Sequence, residues 1–172
     1  STNLLDTKYP SISPTLMQEY IQTGIDPCYD GTNTNHYHGI ISIGFSKTEP
    51  YHVDLSSKPV NQALDLYTAF LHEMFHALGF TTTLANSLDE NKTLTRFSTW
   101  DVFVEDAAKN KLLTIAPGFT SATINSKINL NDFFGTPSLN TLYFNDGKYL
   151  TQVYTGSTYR AGSSFGHFGK DA

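Results

Sequence analysis

The sequence predicts an α+β fold, with a twisted mixed sheet and one prominent helix in the N-terminal half and a loop-rich C-terminal half. Hydrophobic residues recur at spacings of three and four from Val60 to Leu78, which is the pattern of one helix face. A short run rich in Ile at residues 38–45 is typical of a strand. After Gly79 the chain is rich in Gly, Ser, Asn and Thr, which predicts loops and short strands.

Three smaller elements complete this prediction. A first helix is expected to begin with Ser13 as N-cap and Pro14 at its first position, and to end at Gly24. A second, weaker strand is expected at Tyr51–Leu55. The segment 99–108 is the part of the second half that we expect to be ordered.

The chain length indicates one domain, because 172 residues lie in the usual range for a single hydrophobic core. The change from an ordered first half to an irregular second half suggests two subdomains with a cleft between them. We therefore expect one domain over residues 1–172, with an N-terminal subdomain at about 1–80 and a C-terminal subdomain at about 81–172.

Composition excludes several classes of partner. The net charge is −5 and only eleven Lys and Arg are present, so neither nucleic acid nor an anionic membrane surface is expected as a partner. No apolar run approaches the roughly 20 residues of a transmembrane helix. The single cysteine, Cys28, permits no internal disulfide and forms no cysteine-based zinc site by itself. It is either an ordinary buried or surface thiol or one half of a bridge whose partner lies outside this sequence.

The chemistry of the chain is concentrated in His72-Glu73-Met74-Phe75-His76, which matches H-E-x-x-H near the end of the predicted long helix. Residues four apart project from one helix face, so His72 and His76 can bind one Zn²⁺. Glu73 is then the candidate general base for a zinc-activated water. The competing interpretation is a core helix whose two imidazoles have ordinary hydrogen-bond partners.

The longer string His72–Phe80, which reads H-E-M-F-H-A-L-G-F, resembles the metzincin zinc peptidases, in which a glycine turn leads to a third His. In the compact metzincin pattern that His would stand at position 82, which is Thr82 here. The leishmanolysin-like branch instead has an insertion before its third ligand. Four other segments are similar to that branch: Pro27–Gly31, His38–Ile43, Tyr143–Gly147 and Gly162–His167.

The resemblance implies a zincin/metzincin-like catalytic domain with His167 as the third zinc ligand. Among the residues themselves, Glu90, Asp101 and Glu105 compete with His167 as carboxylate ligands. Metzincins also have a methionine turn after the third His, whereas Met17 and Met74 both precede His167. We therefore expect the domain to be truncated before that turn.

The predicted function is that of a zinc metalloendopeptidase, a hydrolase that cleaves protein or peptide substrates. The resemblance implies a secreted or cell-surface protein whose inhibitory propeptide has been removed. The alternative is a catalytically inactive structural or adhesive domain that retains the fold and the metal site, and the intact Glu73 argues against it. His36 and His38 could form a second metal site, but a solvated pair on a strand edge is the preferred interpretation.

Overall fold

The structure is a computed structural model that describes residues 12–13, 15–29, 31–32, 37–45, 48, 50–60, 63–84, 96–135, 138–160 and 163–169. These residues form a small mixed α+β structure with few helices and several small sheets, which confirms the α+β class. Two compact units divide the chain. The N-terminal unit is Thr15–Leu78, and the C-terminal unit combines Ser1–Pro14 with Gly79–Ala172.

Helix α1 of the N-terminal unit spans Leu16–Thr23 and ends at Gly24, as predicted. Its N-cap is Thr15 and not Ser13. The Thr15 hydroxyl accepts from the Gln18 backbone N–H, and the Gln18 side chain accepts from the Thr15 N–H, which satisfies two helix-end donors at once. The prediction of the N-cap was wrong because Ser13 already belongs to strand β1, Ile12–Ser13.

Helix α2 spans Leu66–Ala77 and is the long helix that the periodic spacing predicts. It begins later than Val60 because the Asp65 carboxylate caps it, accepting from the backbone N–H groups of Tyr67 and Thr68. The hydroxyl of Thr68 also donates to this carboxylate and lowers the pKa of Asp65. Beyond the last turn, Gly79 adopts a left-handed φ of 100°, as the sharp turn after the helix requires.

The predicted strand at residues 38–45 is absent from the structure, because residues 37–45 are described and form no strand. Gly39 and Ile41 instead line an apolar cavity of about 250 Å³ with Phe70 and Met74 of α2. Ile41 of this segment thus faces the helix, while Ile40 and Phe45 are exposed. The weaker predicted strand is shorter than expected: β2 is Tyr51–His52, which pairs in parallel with β3, Leu64–Asp65.

The C-terminal unit holds the remaining regular elements, including the predicted ordered segment after residue 99. Strand β1 pairs in parallel with β4, β5 and β9 flank β8 in an antiparallel sheet, and β6 pairs with β7. The bounds are β4 Phe97–Ser98, α3 Thr99–Phe103, β5 Val104–Asp106, β6 Leu113–Ile115, β7 Ala122–Ile124, β8 Leu142–Asn145 and β9 Leu150–Gln152.

The expected single mixed sheet is replaced, within the described residues, by four small sheets. Strands of two to four residues cannot form one extended sheet, so side-chain packing holds the C-terminal unit together. Its core is a cluster of buried apolar residues centred on fully enclosed side chains: Phe97, Val104, Leu112, Phe133, Leu142 and Val153. Among the described residues, no helix has the length and apolar character needed to cross a membrane.

Candidate metal centre

The two histidines of the sequence motif lie together at the end of α2. Their Nε2 atoms are 3.1 Å apart, and their rings meet edge to face with centroids separated by 4.7 Å. Two nitrogens bound to one tetrahedral zinc at about 2.0–2.1 Å lie roughly 3.3–3.4 Å apart. The imidazole pair of His72 and His76 is therefore within a few tenths of an ångström of the spacing that a shared ion needs.

The helix separates this histidine face from an apolar face. Phe70, Met74 and Ala77 line the cavity that Gly39 and Ile41 share with α2. Since each helical residue turns by about 100°, positions 72 and 76 project roughly opposite positions 70 and 74. One face of α2 thus packs within the N-terminal unit, and the other presents the two imidazoles.

Glu73 follows His72 on α2 and its side chain is exposed. One helical step of about 100° separates it from His72, so it stands beside the imidazole pair and not across the helix from it. Its carboxylate oxygens can accept hydrogen bonds from water. It has the chemistry to take a proton from a water held at the histidine pair.

His167 lies in the C-terminal unit, in a loop whose hydrogen bonds fix its ring. Nδ1 lies 2.8 Å from the carbonyl oxygen of Ser163. A carbonyl only accepts, so Nδ1 carries the hydrogen, and in the neutral ring Nε2 carries the lone pair. This arrangement of a ring N–H on a backbone carbonyl is the usual outer-shell support of a metal-binding histidine.

Two contacts within the C-terminal unit bring the His167 loop beside the chain that follows α2. Phe80 and Phe168 have ring centroids 6.3 Å apart. A Cβ built on Gly166 would lie 3.3 Å from Cγ2 of Thr82, which leaves little room for any larger residue there. The two residues that flank His167 therefore lie beside Thr82 and Phe80. Position 82 is where the compact metzincin pattern would place the third His.

A strained residue supports the same loop. Phe165 has a left-handed φ of 69° although it is not glycine, and its side chain is only 1% exposed. Its backbone N–H donates to Tyr154, and its carbonyl accepts from the indole Nε1–H of Trp100 at 2.7 Å. Such strain persists only where the surroundings hold it, and here two hydrogen bonds and the buried ring do so. Sequence reasoning did not single out Trp100 or the left-handed backbone of Phe165.

Asp101, one of the competing candidates for the third ligand, already accepts hydrogen bonds within the C-terminal unit. It is 1% exposed, and its Oδ1 accepts from the Thr82 hydroxyl at 2.6 Å. Its Oδ2 accepts from the backbone and hydroxyl of Thr83 and from the backbone of Ser98. Four donors to one buried carboxylate indicate a structural role, in which Asp101 ties the chain after α2 to the start of α3.

Glu105, another competitor, is also engaged. Lys111 lies 2.8 Å from Oε2, and the Asn145 side chain donates to Oε1 at 2.6 Å. These two hydrogen bonds, that from Lys111 foremost, lower the pKa of Glu105. The carboxylate thus links β5 to β8 and to the turn at Lys111. Glu90, the third competitor, lies outside the described residues.

The second histidine pair considered from the sequence is only half described, because His36 lies outside the described residues. His38 is described, and it contacts Asp26 and Tyr20. Its Nε2 is 2.8 Å from Oδ1 of Asp26, and its ring stacks on Tyr20 with centroids 5.2 Å apart. His38, Asp26 and Cys28 form a cluster in which one ligand atom from each lies within 4.8 Å of the other two.

Comparisons with models of protein families, with curated proteins and with solved structures give no match for this chain. Any functional interpretation therefore rests on the residues and their geometry.

Proposed function

We propose that this chain is a zinc-dependent endopeptidase of the metzincin type, similar to the leishmanolysin-like branch, with His72, His76 and His167 as ligands. The observation that carries the proposal is the 3.1 Å separation of the two Nε2 atoms on α2. Neutral imidazoles at that spacing suit Zn²⁺, which prefers nitrogen and sulfur donors at short distances. Zinc bound there would act as a Lewis acid that lowers the pKa of a bound water toward neutrality.

The third ligand is supported by the loop around His167. Its Nδ1–H is committed to the Ser163 carbonyl, so the lone pair lies on Nε2. Gly166 and Phe168 contact Thr82 and Phe80 respectively, and only three residues separate His76 from Phe80. The carboxylates of Asp101 and Glu105 already accept hydrogen bonds from Thr83 and Lys111 within the C-terminal unit. His167 is the candidate whose environment suits a ligand.

Glu73 performs the proton transfers in this proposal. It takes a proton from the attacking water as the scissile carbonyl is attacked, and then delivers it to the departing amine. Its exposed position beside His72 leaves it accessible to substrate and water. Substrates are internal peptide bonds of proteins or peptides. We place the enzyme, by the same resemblance, in the secreted or cell-surface class.

The proposal is tested by zinc content and by cleavage of a quenched fluorescent casein. Glu73→Gln should retain one zinc at this site and lose activity by about 10²–10⁴-fold, since it removes only the base. His76→Ala should lose the zinc at this site and the activity. His52→Ala is the matched control, because His52 lies in the same unit and hydrogen-bonds to the Asp54 and Ser57 carbonyls.

His167→Ala tests the third ligand with a second readout. Trp100 is the single tryptophan of the chain and donates to the loop that carries His167, so its fluorescence reports on that loop. Zinc titration should change the emission of the wild type and of Asp101→Asn, but not that of His167→Ala. Unchanged zinc affinity in both His76→Ala and His167→Ala would refute the site. Zinc binding without chelator-sensitive cleavage would favour the inactive structural or adhesive domain.

A further inference from the structure

The cluster of Asp26, Cys28 and His38 has no part in the proposed peptidase chemistry. It brings together a carboxylate, a thiol and an imidazole, three chemically different metal ligands, within 4.8 Å of one another. We propose that these residues form a second metal site, which binds a zinc-class divalent ion and joins the chain after α1 to the segment that packs on α2. The site lies wholly within the N-terminal unit.

Two segments contribute the ligands, and each is held in place. Asp26 and Cys28 belong to one turn, in which Asp26 Oδ1 accepts from the Cys28 backbone N–H at 2.9 Å and the Tyr29 N–H donates to the Asp26 carbonyl. The ring of His38 stacks on Tyr20 at an interplanar angle of 18°. The Asp26 carboxylate and the His38 ring are therefore held in place before any ion binds, which reduces the entropy cost of binding.

A hydrogen atom occupies the position between two of the ligands. Asp26 Oδ1 and His38 Nε2 are 2.8 Å apart, and an ionised carboxylate only accepts, so Nε2 carries the hydrogen. Oxygen and nitrogen bound to one tetrahedral zinc would be roughly 3.4 Å apart. Replacing the shared hydrogen by an ion thus needs a movement of about half an ångström between the two side chains. The site is partly accessible, with these side chains 25% and 17% exposed.

The proton balance of binding follows from the ligands. A metal binds the thiolate, so the Cys28 thiol must release its proton to solvent. When His38 is neutral, its hydrogen moves to the other ring nitrogen and no second proton is released. Binding to a neutral imidazole and a protonated thiol should therefore release about one proton per ion.

The construction of the N-terminal unit is an independent reason for such a site. Among its described residues, no apolar side chain is fully buried, and the fully buried apolar side chains all belong to the C-terminal unit. Units of this size with a poor core are commonly stabilised by a structural metal or a disulfide. The one cysteine of this sequence belongs to the cluster, so a thiolate–imidazole–carboxylate site can supply such stabilisation.

Cobalt is the probe that separates this site from the histidine pair on α2, because a cobalt–thiolate bond gives a charge-transfer absorption that nitrogen and oxygen ligands lack. The full chain, kept reduced, is titrated with Co²⁺ alone. The wild type and His72→Ala/His76→Ala should both show the thiolate absorption, and Cys28→Ser should lose it. His38→Ala should weaken cobalt binding by about tenfold or more, while His52→Ala should not.

The outcomes are distinct from those that test the peptidase. Loss of the thiolate band in Cys28→Ser alone, with zinc retained on α2, supports the second site whether or not the chain cleaves casein. A folded wild type without the band overturns the proposal, as does a band that both Asp26→Asn and His38→Ala leave unchanged. Thermal unfolding with chelator present checks that Cys28→Ser folds. In the His72→Ala/His76→Ala background, zinc should raise the midpoint of unfolding only when Cys28 is present.

Discussion

The two units of the chain differ in how their aromatic side chains are packed. In the C-terminal unit Phe97 and Phe133 are completely enclosed. In the N-terminal unit Phe45 is 77% exposed and Phe75 is 52% exposed. The C-terminal unit therefore derives its stability from apolar burial, whereas capping groups, turns and the proposed metal ligands hold the N-terminal unit. The histidine pair lies on the unit with the poorer core.

The largest expected effect on the free energy of unfolding comes from removing an aromatic ring from the C-terminal core. The matched substitution in the N-terminal unit should have almost none. Phe97→Ala should reduce the free energy of unfolding by about 3–5 kcal/mol, because it leaves a cavity in a packed core. Phe45→Ala should change it by less than about 0.5 kcal/mol, since most of that ring is already in contact with water. Urea denaturation of the full chain measures both. Losses of similar size in the two variants would contradict the difference between the units.

A buried carboxylate in the C-terminal unit gives the next largest effect, and it depends on pH. Hydrogen bonds from Lys111 and Asn145 lower the pKa of Glu105. A lowered pKa in the folded state means that the carboxylate stabilises the fold above its ordinary pKa, and that this stabilisation is lost as pH falls through the lowered value. Glu105→Gln should therefore cost about 1–2 kcal/mol at pH 7 and less in acid.

Asp54 is the matched carboxylate in the N-terminal unit. Hydrogen bonds from Ser56 and Ser57 lower the pKa of Asp54 to about 2, although the side chain is exposed to solvent. Its contribution is present above the ordinary pKa of aspartate and is lost only as pH falls toward 2. Asp54→Asn should shift the urea midpoint little at pH 7. A larger shift for Asp54→Asn than for Glu105→Gln would reverse the comparison.

The elements that the sequence predicts correctly are those with local signals. Helices α1 and α2 follow from helical spacing and from glycines at their ends, and both lie close to the predicted positions. The prediction of a strand at residues 38–45 was wrong. An Ile-rich run has the same composition whether its backbone pairs in a sheet or its side chains lie against a helix. The cavity shared by Ile41, Phe70 and Met74 decides between these outcomes, and it depends on contacts distant in sequence.

The candidate site also has one part that the local sequence predicts and another that depends on contacts distant in sequence. The pair His72 and His76 follows from a spacing of four on one helix, and the geometry on α2 agrees with it. The third ligand stays a prediction, since His167 lies about 90 residues further along and resemblance alone suggested it. The structural role of Asp101 depends on Thr82 and Thr83, which are 19 and 18 residues away, and no local pattern announces it. The pairing of His38 with Asp26 was missed for the same reason.

The smallest expected effect sharpens the comparison, because each unit contains the same local motif. Thr15 and Gln18 form a capping box at α1, and Ser98 and Asp101 form one at α3. Ser98→Ala should cost about 1 kcal/mol, since it leaves a buried backbone N–H without its acceptor, whereas Thr15→Ala at a partly exposed cap should cost about 0.5 kcal/mol.

Amide hydrogen exchange separates the two capping variants more clearly than denaturation. In Thr15→Ala the Gln18 amide should exchange faster while amides of the β5–β8 ladder keep their protection, because the cap stabilises only α1. Thr15→Ser preserves the hydroxyl and should restore slow exchange. If Thr15→Ala also exposed the ladder amides around Glu105, the N-terminal unit would contribute to the stability of the C-terminal core. That result would contradict the view that the C-terminal unit is stable by its own core while caps and turns stabilise only the N-terminal unit.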